Sequence, residues 1–197
     1  MNFNIHILIS LGLVIFALIL FFVLRRVENG LKVLAMFCGF LGDMTLAHFW
    51  IFDNLNFEWG VAFFLICHIF YFFAYKRCVK NLFNKGFWIG VIISLLFIGT
   101  LIFMFFLNER SLFMLVLSLI YGGVIGFLCA TVTSYAYERK SLVSILNTMG
   151  IIFFIISDFF IGINIVAGVD FPTRSQLIWI FYPIGQFLLI LDWNKKG

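Results

Sequence analysis

Charge is scarce in this sequence. Asp, Glu, Lys and Arg make up 11% of its 197 residues, against 64% hydrophobic residues and a mean hydropathy of +1.14. A soluble domain of this length has too little interior to hide that much apolar surface, so a soluble globular fold is excluded. Also absent is the alternation over about ten-residue segments that marks outer-membrane barrel strands. The apolar runs are about twenty residues long instead, the length a helix needs to cross a bilayer core. The expected class is an all-α polytopic transmembrane helix bundle, a multi-pass protein of the cell membrane with the lipid bilayer as its constant partner.

Other absences narrow the chemistry. The four cysteines, Cys38, Cys67, Cys78 and Cys129, have no paired spacing, so neither a disulfide framework nor a zinc site is indicated. The first apolar run has no basic residues before it and no small-residue cleavage site; Arg25 and Arg26 follow it, so it reads as a spanning helix rather than a signal peptide. No basic stripe carries interleaved exposed aromatics, which excludes nucleic acid as a partner. With three histidines, only one of them deep, a His-rich metal centre is not available. A mixed set at Asp43, His68 and Asp158 stays open, but no metal and no cofactor is expected. A retinal photoreceptor is excluded because no lysine lies between Arg174 and Asp192 to form a Schiff base.

What is present is a series of apolar runs separated by short polar ones. Seven helices are predicted, over 4–24, 31–52, 57–75, 86–107, 111–137, 142–168 and 175–192. No linker is long enough to divide the chain, so 1–197 reads as a single transmembrane domain. The basic residues alternate strictly between sides: eleven of the thirteen fall on one side, and only Arg110 and Arg174 on the other. The positive-inside rule then puts the amino terminus outside and the carboxyl terminus in the cytoplasm. Trp50, Trp59, Trp88, Trp179 and Trp193 lie near run ends, as an interfacial belt requires. The 29 Phe residues read as lipid-facing and interhelical packing.

Against this background two acids stand out. Asp158 is the only charge between Lys140 and Asp170, and Asp43 the only one between Lys32 and Asp53. Placing an acid at mid-membrane costs roughly 2.5–3.5 kcal/mol on insertion scales, so such residues usually serve a function. Counting from run ends, Asp43 lies about twelve residues in, Asp158 about sixteen, and His68 and Gln186 about eleven each. Tyr71 is one turn from His68, and Tyr182 one turn from Gln186. The expectation is one polar chamber at a common depth, enclosed by the second, third, sixth and seventh helices. Asn164, Ser157 and Tyr121 are weaker candidates, and His6 and His48 read as interfacial.

The segments LGDMTL (41–46), FFLICHIFY (63–71), GIIFFIISD (150–158) and FYPIGQFLL (181–189) resemble the four signature segments of the YhhN-like family of integral membrane proteins. Its characterised members are lysoplasmalogenases, which hydrolyse the vinyl ether bond of lysoplasmalogens to an aldehyde and a glycerophospho-alcohol. The resemblance implies active-site roles for Asp43 and Asp158, with His68, Tyr71, Tyr182 and Gln186 as neighbours. Together with the polar residues of the runs, the expected catalytic set is Asp43, Asp158 and His68, and the expected substrate contacts are Tyr71, Tyr182, Gln186 and Asn164. It implies a lysophospholipid or another small lipid as the substrate. Relatives generally look like eight-helix proteins with a Lys-Pro element upstream of the Gly-Asp motif; here there is no Lys-Pro, and one helix precedes the motif helix.

The residues themselves suit that chemistry. Vinyl ether hydrolysis needs a proton delivered to carbon, giving an oxocarbenium ion, and then water to capture the ion. Two carboxyl groups in opposite protonation states can divide that labour, as they do in glycoside hydrolysis. His68 is the candidate to share a proton or orient the water. The competing expectation is a proton- or cation-coupled transporter that uses the same acids, which predicts discontinuous helices at the site.

Overall fold

The computed structural model describes residues 3–49, 55–108 and 112–192. Among these residues there are seven helices and no strand: α1 (Phe3–Leu24), α2 (Val27–Leu46), α3 (Asn56–Lys76), α4 (Lys85–Asn108), α5 (Leu112–Arg139), α6 (Leu142–Ala167) and α7 (Arg174–Ile190). The all-α expectation and the count of seven therefore hold. Trp50, Trp193 and the ends of the predicted 31–52 and 111–137 spans lie outside the described residues. Five helices are long and apolar enough to cross a membrane. Of the other two, α2 carries Glu28, Lys32 and Asp43, and α7 has 17 residues, about 25 Å of rise against a core of about 30 Å.

The helices fall into two compact units, Met1–Lys80 with Asp192–Gly197, and Asn81–Leu191. In the first, α2 packs against both α1 and α3. On α1 the buried residues are His6, Ser10, Leu13, Val14 and Ala17, one stripe at helical spacing, while Ile5, Leu8, Ile15, Ile19, Phe22 and Val23 are exposed. A helix whose outward face is as apolar as its inward one belongs in lipid rather than water. His6, near the start of α1, lies on the inward stripe.

The second helix begins sooner and ends sooner than its apolar run. Arg25 takes a left-handed conformation (φ 50°) that breaks the chain from α1, and Glu28 sits in the first turn of α2, where an acid meets the positive end of the helix dipole. At the other end His48 is left-handed (φ 55°). The amides of His48 and Phe49 donate to the carbonyls of Thr45 and Met44 at 3.0 Å each, the two bonds of a Schellman motif. Hydrophobicity thus continued the predicted span past a turn that backbone hydrogen bonds close.

In the second unit α4 packs on α5 and α6, and α6 on α5 and α7. Ser141 and Ser144 form a reciprocal capping box that starts α6, and left-handed Gly168 (φ 65°) ends it. α6 and α7 also cross closely: a Cβ on Gly150 would come 2.9 Å from the Gly185 carbonyl oxygen, and one on Gly185 the same distance from that of Gly150. Small residues at both positions let the backbones meet. Asn147 on α6 then donates to the carbonyls of Leu188 and Leu191, at 2.6 and 3.1 Å, and satisfies the end of α7.

Candidate functional site

Asp43 belongs to a buried stripe on α2 made of Asn29, Lys32, Met36, Gly39 and Asp43. Their spacing alternates three and four residues, so the polar members face the neighbouring helices and not lipid. The Ser10 hydroxyl of α1 donates to the Asp43 carboxyl group. Beside it, Gly42 leaves room for the Phe64 ring of α3, which a Cβ would approach to 3.0 Å. One turn along α3, the His68 ring donates its Nδ1 proton to the Phe64 carbonyl at 2.5 Å, which orients the imidazole. Tyr71 is fully buried, and its hydroxyl meets Met36 Sδ at 3.8 Å.

The second acid has a comparable local setting. Asp158 on α6 is half-buried and accepts a 2.6 Å hydrogen bond from the Tyr121 hydroxyl of α5. Tyr182 and Gln186 are buried on α7. The Tyr182 ring lies edge-on between Phe154 and Trp179, with centroids 5.4 and 5.8 Å away. Asn164 lies at the far end of α6, where its amide donates to the Val169 carbonyl at 3.3 Å.

Contacts across each antiparallel helix pair set the register. In α2 and α3, Gly42 meets Phe64, Met36 meets Tyr71 and Lys32 meets Tyr75. His68 therefore sits about 7 Å along the axis from Asp43. In α6 and α7, Asn147 meets Leu188, Gly150 meets Gly185 and Phe154 meets Tyr182. Tyr182 is then about 7 Å along the axis from Asp158, and Gln186 about 13 Å.

In the second unit this takes Gln186 out of the expected common depth. Counting from run ends assumes that every helix ends in one plane, but α6 has 26 residues and α7 has 17. In this register Arg174, the first residue of α7, lies level with residue 161 and not with the end of α6.

The structure joins Asp43 with Ser10, and Asp158 with Tyr121. Ser10 was missed in the sequence; its one signal is a lone hydroxyl inside the first apolar run. Tyr121 was ranked low because a tyrosine in an apolar helix more often packs than binds. Among the described residues no three of His, Cys, Asp and Glu are grouped so as to hold a metal ion.

No curated protein matches the chain, and no solved structure does. The sequence model of the YhhN family matches residues 3–193, which takes in all seven helices and both aspartates as well as the four resembling segments. With nearly its whole length matched, the chain belongs to the YhhN family.

Proposed function

We propose that this protein is a membrane-embedded hydrolase of lysolipids that cleaves the vinyl ether bond of a lysoplasmalogen. Family membership supports the reading. The observation that carries it is a pair of carboxyl groups, Asp43 and Asp158, set in apolar helices, each with a hydroxyl from a neighbouring helix on it.

In this mechanism one aspartic acid delivers its proton to the β-carbon of the vinyl ether, and the double-bond electrons form the new C–H bond. The ether oxygen shares the positive charge of the resulting oxocarbenium ion. The other aspartate, ionised, steadies that ion and takes a proton from water as the water oxygen bonds to the cationic carbon. The hemiacetal then breaks its bond to the glycerol oxygen, which leaves with a proton as the glycerophospho-alcohol, and the alkyl chain departs as an aldehyde. His68 orients the water or passes its proton. Gln186 is too far along the axis from Asp158 to touch the same small group, so Tyr182 and Gln186 contact successive parts of an extended ligand. A lipid has that length.

The transporter reading predicts helices interrupted at the acids. Here α6 runs unbroken through Asp158, and α2 continues to Leu46 beyond Asp43.

The test is incubation of purified protein with lysolipids, including a lysoplasmalogen, followed by mass analysis. Aldehyde release is expected from wild type, with a bell-shaped pH dependence because one group must hold a proton while the other has lost it. Asp43→Asn and Asp158→Asn should each lower the rate by about 10²–10⁴-fold, the usual worth of acid–base catalysis. Near wild-type turnover in either variant would make that aspartate structural and defeat the two-carboxyl mechanism.

A further inference from the structure

The two-carboxyl mechanism leaves its protons in the wrong place. One carboxyl group has given a proton to carbon, the other has taken one from water, and the leaving alcohol carries off the hydrogen of the hemiacetal hydroxyl. No proton is consumed overall, yet the acid ends ionised and the base ends protonated. The cycle closes once a proton has returned to the one and left the other, and exchange with outside water achieves this. Asp43 is 7% exposed, so its exchange with water runs through neighbouring side chains.

Those side chains are on α1, which packs on α2. Among the described residues, the inward stripe of α1 holds two polar side chains, His6 and Ser10, one helical turn apart. Ser10 is fully buried, and its hydroxyl donates to Asp43. The hydroxyls of Thr45, Thr100 and Thr131 instead return to the carbonyl one turn back in their own helices, a common arrangement for a hydroxyl within a helix. Ser10 gives its proton across the helix contact, and its oxygen keeps acceptor capacity toward a donor on its other side.

The register puts His6 at one end of this helix pair. Ser10 meets Asp43 and Phe21 meets Gly30, so α1 and α2 run antiparallel, with His6 level with residue 47. Ala47 caps α2, and His48 after it is exposed and accepts a 2.7 Å hydrogen bond from the Asn56 amide at Nδ1. Asp43 lies three residues before the last residue of α2, about 4.5 Å of rise, so two side chains of α1 cover the step to the helix end. On α3, which packs on the same helix, Glu58 stands in the first turn, and Cys67 and His68 lie roughly one turn along the axis from Asp43.

We propose that His6 and Ser10 form the proton route between Asp43 and the water at this end of α1. The proposal rests on the reading of Asp43 as an acid–base group. His6 takes a proton from water and, as the imidazolium, passes one to the Ser10 oxygen, directly or through one water. At the same time the Ser10 hydroxyl gives its own proton to the Asp43 carboxylate. One proton enters and one arrives, and His6 is neutral and Ser10 a hydroxyl again at the end. The reverse sequence discharges Asp43.

Infrared spectroscopy follows this proton without any lipid. The full chain in detergent micelles is given a rapid pH change, and the carboxyl bands that Asp43→Asn removes are followed in time. In wild type they should follow the pH. His6→Phe and Ser10→Ala should each slow the response by at least about tenfold, well within the worth of a positioned proton-transfer group. Imidazole added to His6→Ala should restore the rate, and Ser10→Thr, which keeps the hydroxyl, should retain it. If His6→Phe or Ser10→Ala does not fold, His6→Gln, which stays polar but does not ionise, decides. A response as fast as wild type in any of these blocking variants overturns the route, and so does a wild-type Asp43 band that ignores the pH change. Because no lipid is present, a failure to release aldehyde in the earlier assay does not alter this outcome. An unslowed response, in turn, leaves the two-carboxyl chemistry standing with another path for its protons.

Discussion

A carboxyl group in an apolar helix needs a donor to fix its orientation, and Ser10 and Tyr121 each supply one. Removing the Tyr121 hydroxyl should affect chemistry more than folding. One hydrogen bond contributes about 0.5–1.5 kcal/mol to stability, whereas an acid that has lost its orientation delivers its proton along a poorer path. Tyr121→Phe is therefore expected to lower kcat about tenfold with KM unchanged and to alter the shape of the pH profile. Steady-state kinetics across pH check it; an unaltered kcat and profile would reduce the hydroxyl to packing. The two aspartates were legible in the sequence because an ionisable group is conspicuous among Phe and Ile. Their partners were not, because a single serine or tyrosine in an apolar run carries no mark of the helix it will meet. Asn29 was illegible for a related reason: its burial follows from packing against other helices, which composition near a run end does not reveal.

Helix identity follows from run length, but helix register follows from small residues and turn geometry. Gly150 and Gly185 place α6 against α7 so closely that each excludes a Cβ on the other. That contact fixes how far Tyr182 and Gln186 stand from Asp158. Gly185→Ala should accordingly cost about 1–3 kcal/mol, the usual penalty for overpacking, and shift or splay α7. Thermal unfolding in detergent measures the loss, and turnover should fall with it because the substrate contacts move relative to Asp158. A variant with wild-type stability would show that the crossing relaxes without strain. Seven helices could be counted from the apolar runs because each polar break is short and abrupt. Their relative depths could not, because apolar residues near a run end do not say where hydrogen bonding stops. The Schellman turn at His48 ends α2 inside a run that hydropathy alone extends to residue 52.

For the whole molecule, the sidedness of the chain decides from which side of the membrane each loop is reached. Eleven of the thirteen basic residues fall on one side of the alternating apolar runs, and their clustering favours retention on the cytoplasmic side. On that expectation the start of α2, with Arg26 and Lys32, would face the cytoplasm. We expect the amino terminus outside and the carboxyl terminus inside. Single cysteines for labelling, placed in a background without the four native ones, should report loops 77–84 and 139–141 as cytoplasmic and loop 168–173 as external. An odd number of crossings puts the two ends on opposite sides. If reporters at both termini gave the same side, one of the seven helices would not cross, and α7, with its 17 residues and internal Pro183, would be the first to test.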